Sequence, residues 1–195
     1  MPESPGQELH DYLERLCNLL RGQARAAVAD LGLQPVQLEA LHYLARCNRY
    51  SNTPLAVADY LGSTKGTVSQ TLKVLEARGL VRKVKDTKDR RVVRLEPTDQ
   101  GRAIITRTLP APILTQAAAD LSVPDAETLV PGLRRLLRSI QHANGLRSFA
   151  ECASCRFNGR MPEGSYCRLT GEALAETDLR LICREHEYPS DGGAA

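Results

Sequence analysis

Residues 63–101 read STKGTVSQTLKVLEARGLVRKVKDTKDRRVVRLEPTDQG, and their order of parts decides the fold. Ser63 can cap a helix that runs to about Arg78 and stops at Gly79. Val68, Leu72 and Leu75 share one face of that helix, while Gly66, Gln70 and Lys73 share the other. Two short strand-like runs follow, Leu80–Lys85 and Val92–Leu95, joined by the charged turn Asp86-Thr87-Lys88-Asp89-Arg90-Arg91. Their apolar faces are thin, which predicts a two-stranded hairpin at a domain edge. Thr98 then caps a further helix.

Working outward, Pro35 opens a helix with Leu38, Leu41 and Leu44 inward, and Thr53-Pro54 opens a short one, Leu55 to Leu61, closed by Gly62. A short helix, a glycine turn and a polar second helix form a helix-turn-helix, and the hairpin makes it winged. Ser4 caps a long first helix, with Gln7 at the capping-box position. Its apolar residues, from Leu9, Tyr12 and Leu16 to Val28 and Leu31, hold helical spacing for about six turns. That is more than a small core requires, and pairing with another chain would use it. Beyond Leu109, Pro110 and Pro112 interrupt the helix that Thr98 begins. Ser122 starts a last helix carrying Leu129, Leu133, Leu136, Leu137 and Ile140, kinked at Pro131 and stopped at Asn144-Gly145.

Composition agrees. Apolar residues are 42% and charged residues 25% of 195, but aromatics are only 4%, so the core is aliphatic and the fold mainly α. No apolar run approaches the ~18 residues of a membrane span, and no signal peptide is legible, so a cytoplasmic location with reduced cysteines is expected. Net charge is +3, yet Leu61–Arg94 holds ten Lys/Arg against three Asp/Glu. A basic stretch in a nearly neutral chain points to a polyanion. Ser63, Thr64, Lys65, Thr67 and Gln70 lie in the first two turns of the polar helix, with Lys73 on the same face. Gln pairs with adenine, Thr contacts a thymine methyl, and a helix N-terminus offers N–H groups to phosphate. Lys88, Arg90 and Arg91 on the wing suit a minor groove or its phosphates. Asp86 and Asp89 are expected to orient those arginines by ion pairing. An enzyme is the remote alternative: four scattered histidines, no Gly-rich phosphate loop and no Ser/His/Asp grouping give it no support.

With "TPLAVADYLG" before it, the stretch 63–101 resembles the MarR family of bacterial transcriptional regulators. The D-x-x-D-R-R turn and "PTDQG" are the most typical pieces, and the resemblance covers about Leu9 to Gly145. It implies a winged-helix homodimer, formed through the first and last helices, that binds a near-palindromic operator, usually as a repressor. The resulting division is 1–32 and 98–145 for dimerisation, 33–97 for DNA, 149–189 for a cysteine-rich segment and 190–195 for a disordered tail. Some relatives bind a small aromatic effector, but no cluster here marks such a pocket. Others sense peroxide through a cysteine in the first helix; Cys17 lies too near that helix's end, and both Cys17 and Cys47 are read as core thiols.

The resemblance stops before Phe149, and the remainder must be read from its chemistry. Cys152, Cys155, Cys167 and Cys183 are spaced C-x2-C-x11-C-x15-C, with His186 as a possible substitute ligand. Four thiolates complete a [4Fe–4S] cluster or a tetrahedral Zn2+ site. Either supplies folding free energy to a segment too small to bury its own core. Two of the four cysteines stand singly, and a regulator without an effector pocket needs an input. The [4Fe–4S] reading is therefore preferred, with structural Zn2+ and an unidentified small-molecule effector as the alternative. Arg156, Arg168 and Arg184 are expected to donate to anionic sulfur. A change at the centre would alter packing of the segment and the spacing of the two reading helices.

Overall fold

The computed structural model describes residues 4–86, 89–162 and 164–189; Lys88 and the 190–195 tail lie outside them. The chain is mainly helical, with a small wing. Ser4 Oγ accepts the Gln7 N–H (3.3 Å) and starts α1, Pro5–Ala29. The expected capping box is half made, since Gln7 Nε2 reaches forward to Asp11 (2.9 Å) instead. Then come α2 (Pro35–Arg46), α3 (Pro54–Leu61) and α4 (Lys65–Ala77). Strands β1 (Val81–Lys85) and β2 (Val93–Pro97) pair antiparallel, with Lys83 opposite Leu95. After them follow α5 (Asp99–Thr108), α6 (Pro112–Ala119) and α7 (Val123–Ala143).

The core forms around α2. Leu38, Ala40, Leu41, Tyr43 and Leu44 are buried against Ala56, Val57 and Ala58 of α3, Val68, Leu72 and Leu75 of α4, and Val81 and Leu95 of the wing. Each fully buried aliphatic contributes about 1.5–3 kcal/mol. Gly62, at φ +59°, makes the left-handed turn between α3 and α4. At the far end of α4, Arg78 donates to Gly32 O (2.7 Å) and Leu31 O (2.5 Å), tying α4 to the turn that follows α1.

The long amphipathic helices are left uncovered. Of α1 only Val28 is buried, while Leu9, Tyr12, Leu16 and Leu19 are exposed. On α7, Leu129, Leu133, Leu137 and Ile140 are exposed too. Cys17, expected in the core, is exposed with this face; Cys47 is buried as expected. Among the described residues no helix is long and apolar enough to cross a membrane.

The cysteine segment is a small structured unit. Strand β3 (Ala150–Glu151) pairs with β7 (Ile182–Cys183), and β4 (Asn158–Met161), β5 (Gly164–Cys167) and β6 (Glu172–Leu174) form an antiparallel meander, followed by the short α8 (Glu176–Leu179). Phe149, at φ +43°, turns the chain into it, a left-handed conformation that costs about 1–3 kcal/mol for a bulky residue. Ring packing offsets this. Phe149 meets Tyr43 and Tyr60 edge-on, at centroid distances of 5.9 and 5.3 Å. Ile182 joins the core of the winged helix.

Gly101, inside α5, explains the glycine of "PTDQG". A Cβ there would lie 2.3 Å from Leu80 O. Gly101→Ala is expected to destabilise the fold by about 1–3 kcal/mol, seen as a lower urea midpoint with an unchanged m-value.

Candidate nucleic-acid interface and thiol cavity

The start of α4 is capped by Thr64, not Ser63. Thr64 Oγ1 accepts the Thr67 N–H (3.2 Å) and lies 3.0 Å from Thr67 Oγ1. Ser63, half-buried, donates its hydroxyl to Leu61 O (3.4 Å) and closes the preceding turn. The shift by one residue follows from Gly62, whose left-handed turn directs Ser63 back onto α3. Lys65, Thr67, Gln70 and Lys73 are all exposed, while Val68, Thr71, Leu72 and Leu75 face inward. This leaves one polar face of α4 open along its first two turns. Lys65, Lys73 and Lys83 border a cleft of about 350 Å³ floored by Pro54, Leu55 and Leu72. Lys83 Nζ also pairs with Glu76 at 2.5 Å, fixing the wing strand to α4.

Arg90 and Arg91 are exposed on the wing turn. Among the described residues the two acids hold Arg94 and the backbone of the turn. Asp86 pairs with Arg94 of β2 (2.7 Å), and its Oδ1 accepts the Asp89 N–H (3.0 Å). Asp89 Oδ1 accepts the backbone N–H of Arg91 (2.9 Å). Short Asp side chains satisfy turn backbone readily, so these carboxylates shape the loop that carries the arginines.

A capped helix with an open polar face beside a cationic hairpin, ordered α2-α3-α4-β1-β2, is the frame against which known proteins can be compared. Residues 31–92 match the MarR family. Solved structures agree on the MarR winged-helix fold. A MarR family protein from Bacillus stearothermophilus superposes with a TM-score of 0.61 at 22% identity, over 72% of this chain and 99% of that one. The S. aureus MepR–DNA complex gives 0.55 at 23%, over 66% and 96%. The regulator BldR from Sulfolobus solfataricus gives 0.54 at 22%, over 70% and 99%. At these identities the likeness establishes fold. No curated protein matches the chain. The MarR match ends at residue 92, well short of the cysteine segment.

That segment brings Cys152, Cys155, Cys167 and Cys183 to the wall of one cavity of about 40 Å³. Phe157, Leu169 and Leu174 supply apolar lining; Asn48 and Tyr50 come from the loop after α2. Among the described residues no three His, Cys, Asp or Glu side chains are grouped so as to hold a single metal ion. Asn158 Oδ1, also on the wall, is buried with no hydrogen-bond partner among the described residues, a demand that a bound cation or donor would meet. The donor set, four soft thiols in an apolar wall, fits a thiophilic metal centre.

Hydrogen bonds to sulfur come from a different place than predicted. Asn48 Nδ2 donates to Cys152 Sγ (3.4 Å). Arg184 instead pairs with Asp59 (2.7 Å) and Glu185 (2.5 Å), Arg156 pairs with Glu187 (2.7 Å), and Arg168 is exposed. Carboxylates nearby outcompete weakly accepting sulfur for guanidinium groups. His186 is buried, but it does not line the cavity: Nδ1 lies 2.6 Å from Ser148 Oγ and Nε2 3.0 Å from Ser154 Oγ. Sequence reasoning missed Asn48 and Ser51. They lie more than 100 residues from the four C-terminal cysteines, and neither is a usual metal-ligand type.

Cys152 and Cys183 share one negative charge. The Cys152 thiol donates to Cys183, which also receives hydrogen bonds from Asn48, the Glu185 N–H and Ser51; Cys183 is drawn down to about 6. Cys152 is pushed up, chiefly because it donates to Cys183. Burial pushes Cys47 up to about 12. Hence, in metal-free reduced chain, Cys183 is the more readily ionised thiol of the pair. Iodoacetamide labelling followed by mass spectrometry should show Cys183 reacting at lower pH than Cys152 and Cys47.

Proposed function

We propose that this chain is a MarR-type DNA-binding transcriptional regulator, a repressor acting as a homodimer on near-palindromic duplex DNA. The observation that carries the reading is the open face of α4, with Lys65, Thr67, Gln70 and Lys73 exposed beside Arg90 and Arg91 of the wing. Phosphate contacts supply affinity and base contacts supply sequence preference, and this face offers groups for both. Lys88 belongs with the wing cations in this reading. The pairing of two chains uses the stripes of Leu9, Tyr12, Leu16 and Leu19 on α1 and Leu129, Leu133, Leu137 and Ile140 on α7, which a single chain leaves exposed. A two-fold pair of readers demands a two-fold operator. The match of residues 31–92 to the MarR family supports the reading, and the related fold of MepR, a protein solved with DNA, is consistent with it.

The input to the regulator, in this proposal, is the four-cysteine cavity. Cys152, Cys155, Cys167 and Cys183 would hold a [4Fe–4S] cluster, which supplies a redox- and iron-sensitive charge when bound. What favours it over Zn2+ is that Cys167 and Cys183 stand singly, while all four thiols line one cavity. The chain's own contribution is the apolar wall of Phe157, Leu169 and Leu174, which excludes water, and the Asn48 amide, which stabilises sulfur charge. Protein isolated without oxygen should be brown, with absorption near ~400 nm and about four irons per chain. A colourless protein with one zinc overturns the sensing proposal and leaves the DNA reading standing.

DNA binding is tested by fluorescence anisotropy with duplexes selected from random sequence. Affinity should fall steeply with salt. Arg90→Ala is expected to weaken all sequences alike and flatten the salt slope, whereas Gln70→Ala should cost about 1–3 kcal/mol at particular base pairs only. If neither variant moves affinity, α4 and the wing do not read DNA.

A further inference from the structure

The loop between α2 and α3, residues 47–53, is where the cysteine segment, the helix-turn-helix and the wing meet. On one side it holds the cysteine segment. The Asn48 N–H donates to Ile182 O (2.9 Å), Asn48 Nδ2 to Cys152 Sγ (3.4 Å), and the Arg184 N–H to Ser51 Oγ (2.8 Å). On the other side it holds the wing. The Leu95 N–H donates to Asn52 O (2.8 Å), and Arg94 Nη1 donates to Tyr50 O (3.1 Å) and Asn52 Oδ1 (3.4 Å). The two sides are joined inside the loop, where Asn48 Oδ1 accepts the Tyr50 N–H (3.1 Å). Asn48 is 2% exposed and Ser51 0%, so water cannot replace a lost partner at either. Arg94 carries the contact onward. Its Nε donates to Asp86 Oδ2 (2.7 Å), and Asp86 Oδ1 accepts the Asp89 N–H (3.0 Å), one residue before Arg90.

We propose that the series Cys152–Asn48–Tyr50–Arg94–Asp86 is the route by which filling of the thiol cavity sets the pose of the wing, with Asn48 and Arg94 as its positioning residues. The proposal rests on the reading that the four thiols hold a metal centre, and it deepens that reading by naming what the centre acts upon. Sulfur drawn onto a metal moves relative to its amide donor. Asn48 must follow or leave a buried group unpaired, and its other amide atom holds the loop that Arg94 grips. One planar guanidinium touching both Asp86 and Tyr50 O makes the loop and the wing base a single hydrogen-bonded body. The element that responds in this proposal is the base of the wing, where Arg94 of β2 meets Asp86. On this account the signal reaches the wing within one chain and does not require a change in how two chains are spaced.

The test uses full-length chain stripped of metal under reductant without oxygen, then titrated with Zn2+ as a probe of the four-thiol site. Zn2+ stoichiometry, free thiols and amide hydrogen exchange are read together. In the native sequence one Zn2+ per chain should slow exchange in 48–52 and in β1 and β2 by about tenfold. Arg94→Lys keeps a cation for Asp86 but loses the fork; Zn2+ should bind with the same stoichiometry and protect 48–52, while β1 and β2 no longer respond. Asn48→Asp places an anion beside Cys152 and should weaken Zn2+ binding about tenfold or more. Should Arg94→Lys lose its helical circular dichroism, Asp86→Asn severs the next link for the same comparison. The route is refuted if Zn2+ binds and protects 149–186 of the native chain while β1 and β2 exchange as before; the thiol centre then survives. If the stripped chain takes up neither Zn2+ nor a [4Fe–4S] cluster on reconstitution with iron and sulfide, the thiol-centre reading and the route fall together.

Discussion

A buried polar loop needs partners, and that requirement organises this molecule. Asn48 and Ser51 are almost fully buried at the end of α2, where backbone and side-chain polar groups cannot reach water. Their partners come from both ends of the chain. Tyr43 donates its hydroxyl to Ser51 O (2.9 Å) from α2, and the backbone around Ile182 and Arg184 arrives from the C-terminal segment. The cysteine segment is therefore part of the winged helix's own interior. Ile182 fills the aliphatic core, and Phe149 completes a cluster with Tyr43 and Tyr60 in a chain with only two phenylalanines and no tryptophan. Burial of that kind is hard to reconcile with a loosely tethered tail.

Charge is divided with equal economy. The cations of α4 and the wing turn are exposed, whereas those near the segment are consumed. Arg49 meets Glu172 and Asp178 (3.2 and 3.1 Å), and Arg184 and Arg147 both approach Asp59 (2.7 and 3.7 Å). Pairs this exposed add little to stability individually. Their effect is on placement: they match the segment's acids to Arg49 beyond α2 and its arginines to Asp59 of α3, and leave the basic face of α4 clear.

Much of the fold was legible in the sequence because it follows from local rules. Helix starts at Pro35 and Pro54, the stop at Gly62, the inward triplet Val68, Leu72 and Leu75, and the hairpin all lie where capping, glycine and periodicity place them. Misassignments arose where two neighbours could do the same job. Ser63 and Thr64 are both good caps, and only the left-handed turn at Gly62 decides between them. The cysteines announced their own chemistry by spacing, but the groups that hydrogen-bond them did not. Asn48 gives no ligand signal, and the arginines beside Cys155, Cys167 and Cys183 gave a false one, because sequence adjacency does not show which carboxylates lie within reach.

Arg78 has a mechanical consequence. One guanidinium at the tail of α4 grips the carbonyl oxygens of Leu31 and Gly32, where α1 ends. The root of the long arm and the tail of the reader are thus tied at two points, so where one sits fixes where the other begins.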